Sequence, residues 1–295
     1  MKRNAAAGNV GHIAPIGLAP TGLAPTGTGY AAKVPNRGPK RLVSAWLAAV
    51  LASSGLVVGG LTAAGSTAAP AGAAGLGAVN TAAQLLHASL SAAQGEAGVD
   101  WVGTTHTSNV AVTLTTKAGK HDGTQSINFH LGSKAGQISI ILVGTTVYIR
   151  GNAFGLQEYM GFSATAGQKE AGRWVSIEEP DATLVTIYEA VAAGLTVSST
   201  VSELEMTGPL TPTAARTVAG QRVVGVRGTT LVNSEAPSTP QVLYLKSTGE
   251  HLPVEAVQNL KDETSSEVLG PWGQAPSVQA PGGSVPLQLG WLSSR

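Results

Sequence analysis

The sequence predicts an α+β protein in which an antiparallel sheet carries helices on one side. Three observations lead there. Four runs between Asn109 and Arg150 alternate apolar and polar residues with the period of two that a half-buried strand requires, and only short turns separate them. Apolar residues at helical spacing fill Leu76–Leu90 and the stretch from Pro180 to Met206. After Val218 the pattern returns to short strand-like runs. Strands in series, helices between and strands again suit an antiparallel sheet covered on one face.

Taken in order, Leu76, Val79, Ala83, Leu86 and Leu90 form the stripe of a first helix, ended by Gly95 and Gly98. Val110, Val112 and Leu114 share one strand face, Ile127, Phe129 and Leu131 the next, then Ile138, Ile140 and Leu142, then Val147-Tyr148-Ile149-Arg150 after the turn at Gly144-Thr145-Thr146. These four form a meander. Phe154, Leu156, Tyr159, Met160 and Phe162 concentrate aromatic residues in a short helical segment, and Arg173–Ile177 is a fifth strand. Asp181 is placed to cap a helix with Leu184, Ile187, Tyr188 and Val191 on its apolar side, and Val197–Met206 is a second helix. Val218–Val226, Pro240–Lys246 and His251–Val257 complete the strands, the last two joined as a hairpin at Ser247–Glu250. Residues 263–295, rich in Pro and Gly, read as a mobile tail.

The charge is split. The chain has 18 Lys+Arg against 17 Asp+Glu, but all six charges in residues 1–41 are positive, and none occurs from Leu42 to Gly95. Twelve basic and 17 acidic residues remain, so residues 42–295 sum to −5. That sign argues against nucleic acid as a partner, since phosphate contacts need clustered cations. Residues 1–41 are a disordered basic region that includes the repeat Leu18–Gly22 and Leu23–Gly27. Residues 42–61 are an uncharged apolar run of 20, long enough to cross a hydrocarbon core of about 30 Å, with Lys33, Arg37, Lys40 and Arg41 before it. Two expectations stand side by side: a cleaved signal peptide, for which Ala71-Gly72-Ala73 in the 62–75 linker is a suitable site, or a signal anchor in the cytoplasmic membrane. Both export the remainder to the cell envelope. Residues 76–262 are then the folded domain.

Within it, Ile141-Leu-Val-Gly-Thr-Thr-Val-Tyr-Ile-Arg150, Phe154, Tyr159-Met-Gly161, Gly172-Arg-Trp-Val-Ser-Ile177 and the hairpin Val242–Val254 resemble the actinobacterial LppX/LprG-type envelope proteins. The resemblance spans about residues 76–260. It implies a LolA-like fold, a curved antiparallel sheet (an incomplete barrel) with helices on its concave side, and an apolar space that holds the acyl chains of a lipid. It further implies a lining from Ile127, Phe129, Ile138, Ile140 and Leu142 on the strands and Leu184 and Tyr188 on a helix. Relatives are usually lipoproteins, but Ala64 stands in the position of the lipid-modified cysteine, and the chain has no cysteine at all. Lipid anchoring, disulfides and thiolate chemistry are excluded together.

Signatures of catalysis are sparse. There is no His-Glu-x-x-His, Gly-x-Ser-x-Gly, Ser-x-x-Lys, phosphate loop or dinucleotide fingerprint, so neither a cofactor nor an enzymatic activity is expected. His106 and His130 are either a two-histidine metal pair or solvated strand-face residues. Glu178-Glu179 are either a carboxylate pair or acids decorating a helix N-terminus, and Glu267 reads as solvated. Trp174 either lines the ligand space or belongs to the core. The function expected is binding or carriage of a lipid or other apolar small molecule. The alternative is a membrane-tethered structural or sensory interaction module without a cavity.

Overall fold

In the computed structural model the described residues are 81–179, 183–230, 239–260 and 263–293. The basic head, the 42–61 run, the linker, Leu76 and Val79 of the expected first helix, and Asp181 lie outside them. Among the described residues no helix is long and apolar enough to cross a membrane.

Helix α1 (Ala82–Gly95) starts on a capping box: the Thr81 hydroxyl accepts from the Gln84 N–H at 3.2 Å, and the Gln84 side chain accepts from the Thr81 N–H at 2.9 Å. Its buried residues, Ala82, Leu86, Ser89 and Ala93, are spaced four, three and four apart. A meander follows: β1 (Gly98–His106), β2 (Val110–Gly119), β3 (Asp122–Leu131), β4 (Lys134–Val143) and β5 (Thr146–Gly151). Helices α2 (Ala153–Met160) and α3 (Ala164–Glu170) come before β6 (Val175–Glu178), and α4 (Val185–Ala192) and α5 (Val197–Glu203) after it. A second meander is β7 (Met206–Val218), β8 (Gln221–Thr230), β9 (Pro240–Lys246), β10 (Pro253–Leu260) and β11 (Glu263–Trp272), with the two-residue β12 (Val285–Pro286) last.

All twelve strands form one open sheet in the order β12-β6-β5-β4-β3-β2-β1-β11-β10-β9-β8-β7. Every pairing is antiparallel except β12 with β6. Because side chains alternate faces, the register defines rows across the sheet. One row runs Gly151, Ile138, Ile127, Leu114, Gly103, Glu267, Ala256, Leu243 and Val226 over nine strands. It belongs to the face the helices cover. On that side α1 touches α5, β7, β8 and β10, α2 packs on β4, α4 on β5 and α5 on β2. The expected α+β architecture, an unclosed curved sheet under helices, is what the chain adopts.

The departures have local causes. Val218–Val226 is not one strand: Ala219 (φ 46°) and Gly220 (φ 78°) make a tight reversal between β7 and β8. The first of these left-handed positions is an alanine, so the turn lacks the Asn-Gly or Asp-Gly pair by which such reversals are recognised. β7, at one edge, is largely exposed, carries Pro209 and Pro212 and breaks register twice, features that keep a sheet edge from pairing with another chain. The largest departure is the expected tail. Residues 263–272 form β11 near the middle of the sheet, between β1 and β10, and residues beyond it are strapped to the domain. Val285 pairs with Val175, Phe162 meets Trp291 at 5.9 Å, and Ser163 donates to the Trp291 carbonyl at 2.8 Å.

A chain ended at residue 262 should therefore show no cooperative thermal transition by circular dichroism. One ended at residue 274 keeps β11 and should retain cooperative unfolding at a lower midpoint.

Candidate ligand site between sheet and helices

Strand alternation turns Ile127, Phe129, Ile138, Ile140 and Leu142 to the covered face, where each is at most 3% exposed. Leu184, just before α4, and Tyr188 within it meet the same core from the helix side. Asn152 fixes α2 there: its Oδ1 accepts from the N–H groups of Gly155 (2.6 Å) and Gln137 (3.3 Å), and its Nδ2 donates to the Ala135 carbonyl at 3.0 Å. The helix cap is thus also a clip onto β4. Under it the Phe129 and Phe154 rings lie 5.8 Å apart. Seven of the eight residues proposed as a lining share one core cluster. Trp174 is elsewhere. The inward residues of β6 are Val175 and Ile177, so Trp174 falls on the opposite face, half-buried, with the Arg150 guanidinium 4.6 Å from its ring centre.

A cleft of about 470 Å³ opens where the β2–β3 and β4–β5 turns meet α4 and the start of α5. Leu142 and Tyr188 line it, with Gly144, Ala192, Ala193, Thr196 and Ser199, while the exposed Lys120, His121, Glu179 and Glu189 supply charge. The α4–α5 link is held against the sheet at this point. Thr196 bridges to Gly119 of β2, and a Cβ on Gly123 would lie 2.1 Å from the Leu195 carbonyl oxygen, so β3 has no room for a side chain there. Burial, and then the charge of Glu179, raise the Tyr188 hydroxyl above its ordinary value, so it stays a protonated donor. A second cleft of about 390 Å³ lies between α1 and Val201, Glu205 and Met206.

Deeper inside sits a group that the residue pattern did not reveal. Glu267 is directly opposite Gly103 on β1 and Ala256 on β10, so its carboxyl enters the covered face between two small residues. It is half-buried, where full solvation was expected. Glu203, the last residue of α5, is close enough for the charge of Glu267 to act on it. Both are half-buried. Trp101 of β1 lies in the same neighbourhood. A Cβ on Gly103 would be 3.0 Å from its Cζ3 and 3.6 Å from Glu267 Cγ; one on Gly194 would be 3.3 Å from its Cζ2 and 3.6 Å from Glu203 Oε1. Burial pushes the Glu267 carboxyl up to about 7. Glu203 rises well above the usual carboxylate range through burial first and the Glu267 charge second. Among the described residues neither carboxyl has a hydrogen bond or a cationic partner.

The other candidates are not assembled into a site. His106 and His130 occupy one row, but Ala111 of β2 stands between them and both are exposed. Glu178 and Glu179 are exposed as well, Glu179 at the cleft. Among the described residues no group of three or more His, Asp or Glu could hold a metal ion.

No protein-family model matches the chain, and no curated protein matches it in sequence. Among solved structures it is similar to LprF from Mycobacterium bovis, at 16% identity and a TM-score of 0.45, covering 68% of this chain and 97% of that one. It is also similar to the Mycobacterium tuberculosis lipoprotein LppX, at 13% identity and a TM-score of 0.42, covering 66% and 98%. MucB, solved in complex with MucA, gives 11% identity and a TM-score of 0.33, covering 68% and 60%.

The carboxyl pair sets a pH dependence whose sign follows from linkage. The folded state keeps a proton on Glu267 that the unfolded chain releases near pH 4.5, so this group costs stability progressively as pH rises from about 4.5 to about 7. Relative to the parent, Glu267→Gln should gain stability over that window and level off above it, measured by urea unfolding at a series of pH values.

Proposed function

We propose that the protein is an extracytoplasmic, envelope-associated carrier or binder of an apolar ligand, with acyl chains held between the open sheet and its helices and entry at the cleft beside Leu142 and Tyr188. The observation that carries this is the juncture itself: a largely apolar face, covered by helices of which four have only seven or eight residues, meets a cleft with two of its own buried side chains in the wall. Short helices joined by glycine turns at Gly161 and Gly194 form a cover that can part without unfolding the sheet. Each buried methylene would contribute about 0.8 kcal/mol, so no polar catalyst is required for tight holding. The basic head followed by an apolar run supports export.

One observation favours the second reading, a tethered interaction module with a solid interior: Ile127, Phe129, Ile138 and Ile140 are each 1% exposed and already pack against their neighbours. Native mass spectrometry after gentle purification, together with uptake of a fluorescent hexadecanoic acid, separates the two. Carriage predicts co-purified lipid and saturable uptake. Ala192→Trp, at a half-buried cleft position, should then weaken uptake at least tenfold, a change of about 1.4 kcal/mol, with little change in the unfolding midpoint. Absence of both lipid and uptake in the parent protein would sink the carrier reading.

A further inference from the structure

We propose that α2 and α3 form a hinged flap over a second opening of the apolar space, and that the C-terminal segment Leu287–Ser293 is its latch. The role of the opening rests on reading that space as a ligand site. The flap and its latch stand on geometry.

The two helices leave the sheet and return to it at one point. α2 begins just past Gly151 and Asn152, and beyond α3 the Gly172 N–H donates to the Gly151 carbonyl at 2.8 Å. Gly172 has φ 76°, a conformation glycine adopts without strain, so the base of the pair can pivot. Between the helices a Cβ on Gly167 would lie 2.8 Å from Gln157 Cγ and 3.0 Å from the Ala153 carbonyl oxygen, so the two interlock and swing as one body. The underside carries the fully buried Leu156, and Phe154 against Phe129. Phe129 pairs with Gly136 near the start of β4, whereas Leu142, in the wall of the cleft, is six residues along that strand, about 20 Å away. Flap and cleft stand at opposite ends of one apolar strand face.

The tip of the flap is the link Gly161–Ser163, and the C-terminal segment grips it there. The Ser293 N–H donates to the Gly161 carbonyl at 2.9 Å and the Ser163 N–H to the Trp291 carbonyl at 2.8 Å. Phe162 bridges Leu292, its ring 5.9 Å from that of Trp291. The latch itself is lightly held. It follows the two-residue β12, the Leu287 N–H donates to the Ser176 carbonyl at 2.9 Å, Trp291 and Leu292 are half-buried, and Leu289 is 53% exposed. A segment with so few buried contacts opens locally, well before the sheet unfolds. Closure also carries a cost on the flap: the Tyr159 hydroxyl of α2 is enclosed without an acceptor, a donor that lifting would return to water. The latch offsets that cost, and its release leaves the flap free to turn about its base.

Hydrogen exchange on the full-length protein, read by mass spectrometry, tests the device. In the parent, peptides from 153–170 and 287–293 should exchange together, at least about a hundredfold faster than those of β3. Trp291→Ala, which removes the ring against Phe162, should raise exchange in 153–170 at least about tenfold and leave β2–β4 unchanged. Because the chain has no cysteine and antiparallel partners lie within reach of a disulfide, Phe162→Cys/Leu292→Cys makes a reversible lock. Oxidised, it should exchange in 153–170 at least about tenfold more slowly than reduced, and uptake of fluorescent hexadecanoic acid should slow with it. Exchange of 153–170 only in step with the sheet, or unchanged by Trp291→Ala, overturns flap and latch whether or not the double variant folds. Uptake equally fast with the lock oxidised and reduced overturns the second opening. A parent that shows the exchange pattern but takes up no lipid overturns the ligand-site reading and the opening with it, while the flap and its latch stand.

Discussion

Everything in the sheet depends on the pairing of β1 with β11. Two antiparallel meanders, β1 to β6 and β7 to β11, are each built from neighbours in the chain, and this pairing joins them. It is specified by more than backbone bonds. The Thr105 hydroxyl donates to Ser265 at 3.0 Å, Thr104 and Ser266 hydroxyls meet at 3.5 Å on the other face, and the Trp272 indole N–H reaches past the strand to the Pro253 carbonyl at 2.8 Å. Hydroxyl pairs opposite one another fix register, and a slip by one residue would exchange the two faces. Without this seam the nine-strand row would be two shorter rows, and helix α1, which touches β8 and β10, would have nothing to share with α5 and β2.

The seam is among the more polar parts of the interior. Away from it the covered face is mostly Ile, Leu, Val and Phe, apart from Thr116 and Gln125 on β2 and β3, bonded at 3.0 Å; at it stand Trp101, Gly103, Thr105, Ser265 and Glu267. In the row of Thr105 and Ser265, Gln258 donates to Gln241 at 2.8 Å, and the Gln241 amide nitrogen has no acceptor although the residue is 2% exposed. Stability alone would favour apolar residues at such positions. Here the polar groups stand where the two meanders join, near the middle of the sheet.

The same fact explains what was legible in the sequence. The β2–β5 meander was evident because Val112, Leu114, Ile127, Phe129, Ile138, Ile140 and Leu142 alternate strictly with polar residues. The aromatic helix and the pair after Pro180 were evident from spacing, and so was a first helix around Leu86, although it runs Ala82–Gly95 and leaves Ala83 exposed. β1 and β11 were not: their inward residues include Gly103, Thr105, Ser265 and Glu267, which carry no apolar period, and Pro271 with its neighbouring glycines made β11 resemble a loose tail. The lining implied by the family resemblance falls on the covered face; Trp174, weighed separately, does not, because one residue of register decides its side of the strand. Glu203 and Glu267 are 64 positions apart, and only the sheet order brings them to one tryptophan.

The seam has a consequence for how the chain is made. Thr105 and Ser265 are 160 residues apart. At typical elongation rates of about 5–20 residues per second, β1 waits roughly 10–30 s for its partner to be synthesised. Throughout that interval β2 can satisfy one edge of β1, while the other edge has no strand to pair with. Completion of the sheet is therefore among the last events of the chain's assembly, and the first meander must hold its exposed edge apart from other chains until β11 arrives.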